Sequence, residues 1–184
     1  TISFSKESQA VASNIPYSSF IEKLLAKGSE PILPTIKMKG EVEEGKTEES
    51  LKKTTPTSYI QLSNLALFKK DKLIHITNEE ESDGINIINN NADEVLIECN
   101  CSGGKTAIEV RGIKTNIKIK RKDNIPIASI KITGTAGVQE STCILDLEKE
   151  QTIKDLEEKA NEEVKRIIEK GIEVAKKFET DVFG

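Results

Sequence analysis

Tryptophan is absent, histidine and methionine occur once each, and aromatics make up only 4% of the 184 residues. A core without large rings must be assembled from Ile, Leu and Val, and the abundance of isoleucine favours a sheet, because β-branched side chains suit a pleated, half-buried surface. No stretch approaches the roughly 18 consecutive apolar residues of a membrane-spanning helix. The strong positive balance of a nucleic-acid binder is also missing. Net charge is -4 with 32% charged residues, so no nucleic-acid partner is expected. The chain starts at Thr1 without an initiator Met or a leader-like apolar segment, as expected of a processed chain or an excised piece.

Cysteine and histidine are equally sparse, and their scarcity bears on chemistry. Three cysteines are an odd number, which argues against a disulfide framework; Cys99, Cys101 and Cys143 are read as free and mostly buried. Structural zinc needs four ligands. Cys99 and Cys101, which share a face of a strand, would have only Cys143 and His75 to complete such a site, so no metal is expected. No Ser or Cys stands in a nucleophile-elbow context, and His75 has no second base beside it in the sequence. Ser102-Gly103-Gly104-Lys105 and Gly134-Thr135-Ala136-Gly137 read as loose glycine turns that match no phosphate-binding loop. No catalytic residue and no cofactor are therefore expected.

The length fits one core. Residues 1–30 read as a lead-in carrying a short helix, with Pro16 in its first turn, Ile15, Phe20, Ile21, Leu24 and Leu25 on one face, and Gly28 at its end. Residues 31–184 read as a single α+β domain. Pro31 and Pro34 enforce an extended entry, and Ile36, Met38, Gly40 and Val42 alternate with charged residues as in a half-buried strand. Glu43 to Pro56 is polar and reads as an exposed, mobile loop. From there the pattern gives a nearly continuous apolar strand ending at Leu65 to Phe68, a charged turn at Lys69 to Lys72, and an antiparallel partner at Leu73 to Ile76. Asn78 caps a short helix whose Glu79, Glu80 and Glu81 favour the positive end of its dipole. Carboxylates four apart, such as Glu79 and Asp83, are read as solvated. Val95 to Cys99, Thr106 to Val110, Ile113 to Lys120, Ile125 to Thr133 and Thr142 to Leu147 read as further strands. Their short connectors imply a largely antiparallel, mixed central sheet. Ile153, Leu156, Ala160, Val164, Ile167, Ile168, Ile172, Ala175 and Phe178 follow at steps of three and four, with Ile168 extending the stripe by one, giving a long C-terminal amphipathic helix packed, with the shorter helices, on that sheet. Gly171 in its interior marks a bend or a close approach to a strand.

Leu65 to Gly84 thus joins strand, charged turn, strand and acidic helix start. Together with the Lys/Ile-alternating run Ile113 to Lys122 and the closing Asp181-Val182-Phe183-Gly184, it resembles the C-terminal domain of the spore germination C-subunit lipoproteins, the GerAC, GerBC and GerKC type. The resemblance covers about Ile32 to Gly184. It implies the last domain of a longer lipoprotein at the outer face of the spore inner membrane, held by a lipid anchor outside this fragment, which by itself is expected to be soluble. None of Cys99, Cys101 or Cys143 takes the lipid. It also implies integral-membrane A and B receptor subunits as partners. Two departures stand out: His75-Ile76 replaces an apolar-aromatic pair, and Asp83 precedes the helix glycine. Family chains continue to a further amphipathic segment and a last strand, so a vacant sheet edge or exposed apolar strip is expected here.

These readings make the chain a non-enzymatic subunit domain of a nutrient germinant receptor, acting by contact. The candidate partner surface is Lys69, Lys70, Asp71, Lys72, Asn78, Glu79, Glu80 and Glu81. Lys114, Lys118, Lys120, Arg121 and Lys122 form a basic run with two readings: lysines that keep a strand edge from pairing, or contact with an anionic membrane surface or acidic partner. The alternative function is a module that binds the germinant itself, which requires a concave, mostly apolar pocket. A hydrolytic enzyme ranks below both.

Overall fold

Among the described residues six strands in two antiparallel sheets and three helices, the last of them long, set the frame. The computed structural model describes residues 17–40 and 58–184; expectations placed on Ile15, Pro16, Val42 and Glu43 to Pro56 fall outside them. Helix α1 (Tyr17–Leu25) leads in. Strands β1 (Ile32–Gly40), β2 (Ser58–Lys69) and β3 (Lys72–Ile76) form one antiparallel sheet with β2 in the middle. Helix α2 (Glu79–Ile88) follows, then β4 (Glu94–Cys101), β5 (Gly104–Lys122) and β6 (Ile125–Ser141) form a second antiparallel sheet in that order. Helix α3 (Glu150–Lys177) closes the fold. The class is α+β as expected, with the antiparallel strands divided between two sheets.

The core has two parts. In one, Ile32, Leu65, Leu67, Ile85, Val174 and Val182 meet; in the other, Ile87, Val95, Ile97, Ile108, Leu156 and Ile168 do, and Phe183 packs against both. Leu65 and Leu67 are fully buried, as the continuous apolar run of a central strand requires. The joint between the parts is a crossing of α2 over α3 at two glycines. A Cβ on Gly171 would lie 2.7 Å from the Gly84 carbonyl carbon and the Ile85 nitrogen, and one on Gly84 would press on the Ile167 carbonyl oxygen. Gly171 therefore does mark a close approach, but to a helix: α2 lays its glycine against α3.

Several expectations need correction. Cys101 and Cys143 form a disulfide, with Cα atoms 6.4 Å apart, and only Cys99 is a free, buried thiol. An odd cysteine count forbids pairing all three but not one pair. Gly104 faces Cys101 across the ladder, and its missing side chain leaves the space that the Thr142 hydroxyl fills, with the Cys143 sulfur beside it. Thr142 to Leu147 is not a strand, because β6 ends at Ser141 and the chain is then held by this bridge and by Thr142, whose hydroxyl accepts from the Lys105 N–H at 2.9 Å. Gly134 to Gly137 lies inside β6 rather than in a turn. Thr106 to Val110 and Ile113 to Lys120 are one strand, kinked at Gly112 with φ +61°. In β1, Ile36 and Met38 alternate as expected, yet both are exposed.

Candidate functional site

At the β2–β3 turn the backbone enters the left-handed region at Lys70 (φ 57°), and its N–H donates to the Glu30 carboxylate at 2.5 Å. Lys69 pairs with Glu179 at 3.3 Å, and the Thr180 hydroxyl donates to the Phe68 carbonyl at 2.9 Å. The turn is thus fixed from both sides while Asp71 and Lys72 remain exposed.

The acidic helix start behaves differently. Asn78 accepts from the Glu81 N–H at 2.9 Å and Glu81 accepts from the Asn78 N–H at 2.8 Å, a closed capping box. Glu81 also lies 3.1 Å from His75 Nε2, and the His75 ring stacks on Phe178 at 4.3 Å. Glu80 takes both terminal nitrogens of Arg166, at 2.9 and 2.7 Å, and Glu163 holds the same guanidinium through its Nε and one terminal nitrogen. Hydrogen bonds from Glu163 and then Glu80 push the Arg166 pKa above its ordinary value. These carboxylates hold α2 to its neighbours. Behind the cap, the Thr77 and Ser82 hydroxyls, 2.6 Å apart, meet the backbone of Leu65 inside the core.

The eight expected contact residues therefore fall into two groups at opposite ends of the five-residue strand β3. Lys70, Asp71 and Lys72 present charge outward. Glu80 and Glu81 spend theirs within the fold, and the neutral Asn78 amide serves the cap. Sequence reasoning missed Glu30, Glu163, Arg166, Phe178 and Glu179. Arg166 alone carried a signal, being the one arginine among the lysines of α3, and only arginine offers a fork that grips two carboxylates.

The terminal Asp181-Val182-Phe183-Gly184 is structural as well. The Asp181 carboxylate accepts from the N–H groups of Phe183 (3.3 Å) and Gly184 (3.1 Å). Val182 is fully buried, and its carbonyl accepts from Lys23 Nζ at 3.2 Å and Asn89 Nδ2 at 3.1 Å. Burial lowers the Lys23 pKa, with Asp181 opposing.

The basic run lies on the outer half of β5, paired from Lys114↔Thr133 to Lys122↔Ile125. Lys114, Lys118, Lys120, Arg121 and Lys122 are all exposed there. Alternation places Lys114, Lys118, Lys120 and Lys122 on one face with Lys131, and Arg121 on the other face with Ile117 and Ile119. Where the ribbon passes α3, an open groove of about 600 Å³ runs between Val110, Ile130 and Ile132 on one side and Val164, Ile168 and Ile172 on the other. Among the described residues no group of His, Cys, Asp or Glu is arranged to hold a metal, and no helix is long and apolar enough to cross a membrane.

The model of the spore germination B3/GerAC-like C-terminal family matches residues 63–184, about two thirds of the chain. The chain belongs to that family. Membership ties it to spore germination, and the family is one of germinant receptor C subunits. The matched span holds the charged turn, the capping box, the Lys/Ile run and the terminal motif. Among solved structures the crystal structure of the GerBC protein superposes with a TM-score of 0.60 at 14% identity, over 68% of this chain and 40% of GerBC. The chain therefore spans well under half the length of that structure, and the likeness extends to the fold. No curated protein matches it.

Proposed function

We propose that this chain is a non-enzymatic domain of a germinant receptor subunit, working by protein contact with the integral-membrane A and B subunits. In this reading residues 31–184 form the last domain of a longer lipoprotein, after a lead-in over 1–30, anchored at the outer face of the spore inner membrane by a lipid outside these residues. The observation that carries it is the β2–β3 turn. Its backbone is pinned by Glu30 while Lys70, Asp71 and Lys72 face outward, so charge is offered in a fixed arrangement with little ordering cost on binding. The one histidine, by contrast, is held by Glu81 and Phe178 in a packing role.

The test is co-purification of the full-length lipoprotein with its A and B subunits from membrane extracts. Lys70→Glu with Lys72→Glu should leave stability within about 0.5 kcal/mol yet abolish co-purification and nutrient-triggered germination. Intact assembly by that variant would falsify the assignment of the turn. The groove beside α3 favours a second reading, direct germinant binding: its volume of about 600 Å³ falls in the range of small-molecule sites. Calorimetry with amino acids, sugars and nucleosides separates the two, since the contact reading expects no heat of binding.

A further inference from the structure

The outer half of the β5–β6 hairpin leaves most of its side chains exposed. It runs nine residues of β5, Lys114 to Lys122, and at about 3.3 Å per residue projects some 27 Å. In the span from Lys114 to Ile132 six cations stand against one carboxylate, Asp123 at the turn, in a chain whose net charge is -4. The end of the arm is apolar as well as basic: Ile119 is 72% exposed, Ile125 64% and Ile127 48%. Pairing register places Ile119 on one face beside Arg121, and Ile125 and Ile127 on the other beside Lys118, Lys120 and Lys122.

We infer that this arm docks tip-first on the surface of an anionic phospholipid bilayer. A folded protein partner presents a surface and covers one face of a ribbon, leaving isoleucines of the other face in water. Lipid closes around both faces. The lysine stems then lie along the acyl boundary while their ammonium groups reach the phosphates, as long cationic side chains do at interfaces. A second copy of the chain is a poor occupant: two such arms repel, and Pro126 removes a backbone donor from the outer edge of β6 where another strand would pair. At the base, Lys114, Lys118 and Lys131 line an open polar hollow of about 770 Å³ and extend the positive field along the arm. The inference is independent of the receptor reading, since it uses none of the residues of the β2–β3 turn.

Flotation of the 184-residue chain with vesicles of phosphatidylcholine alone, and of phosphatidylcholine mixed equally with phosphatidylglycerol, tests it. Binding is expected only to the anionic vesicles and should weaken as salt rises. Lys118→Gln with Lys120→Gln should cut affinity about fivefold per lysine removed. Ile125→Ser with Ile127→Ser should cut it further at a salt concentration that screens the charges, with the thermal midpoint unchanged. The turn variant Lys70→Glu should bind vesicles as the parent does, and the arm variants should still co-purify with the A and B subunits in detergent, so the two ideas fail separately. Equal binding to both vesicles would overturn the inference. So would indifference to the isoleucine changes, equal capture by polyglutamate, or displacement by inorganic phosphate at constant ionic strength, which would indicate a simple anion site.

Discussion

The inner and outer halves of β5 carry the same kind of sequence and meet opposite fates. Ile108 and Ile113, on the inner half, are 2% and 5% exposed, whereas Ile117 and Ile119, a few residues on, are 41% and 72% exposed. The strand is continuous through both. What changes is the cover: Leu156 and Ile168 of α3 pack with the inner half, and the outer half runs on past them. β1 repeats the lesson, with Ile32 at 3% and Ile36 at 64% exposed. Alternation of aliphatic and charged residues thus reports a strand, and only tertiary packing decides whether its apolar face is buried.

The sharpest way to break the covered half is to separate the helices that cover it. Gly171→Leu places a side chain on the backbone of Gly84 and Ile85, where neither helix can yield by a rotamer change. A loss of about 4 kcal/mol or failure to fold is expected, read by urea denaturation. The comparison itself is tested by a matched pair. Ile97→Ala, at a position 1% exposed, should cost about 3 kcal/mol, and Ile119→Ala less than about 0.5 kcal/mol. Similar costs for both would mean that the arm is covered after all.

The Cys101–Cys143 bridge ties the end of β4 to the segment beyond β6, 42 residues away in sequence, at the inner end of the same sheet. Replacing both by Ser should lower stability by about 2–4 kcal/mol without altering the arm's vesicle binding. Denaturation with and without reductant checks the first point. A smaller effect is expected at the α2–α3 ion pairs. Arg166 is 42% exposed, so Arg166→Gln should cost about 1 kcal/mol despite its doubly bidentate geometry, and part of that should disappear at high salt.

How much was legible follows from how local each cause is. The capping box at Asn78 and Glu81, the β2–β3 turn and the stripe of α3 depend on residues within four positions of one another, and the sequence carries them plainly. The Leu65 to Gly84 stretch and Asp181 to Gly184 pointed to the family because they sit in the core and at its closure, where Val182 and Leu65 meet. Nonlocal causes were illegible. Nothing near Gly171 in sequence reveals Gly84 as its partner, nothing near Cys101 reveals Cys143, and nothing in the Lys/Ile run says that α3 stops short of covering it. The candidate contact surface suffered the same way: Glu80 and Glu81 look available until Arg166 and His75 are brought against them.

The smallest expected effect concerns the one cysteine left over. Cys99 is 5% exposed, and burial, then the nearby Glu163, pushes its thiol above the ordinary pKa, with Lys159 opposing. A native, unreduced chain should therefore react slowly with a thiol reagent, give one thiol per chain in denaturant, and give three only after reduction. The linkage sign follows from the same shift. Because the folded thiol holds its proton to higher pH than the unfolded one, the unfolded state ionises first, and stability should fall as pH rises through the ordinary thiol range. Cys99→Ala removes that slope while leaving the Cys101–Cys143 pair in place. Two thiols reacting in unreduced denaturant would be inconsistent with one bridge and one buried thiol, and three would mean that no bridge forms and that the inner end of the sheet is held by packing alone.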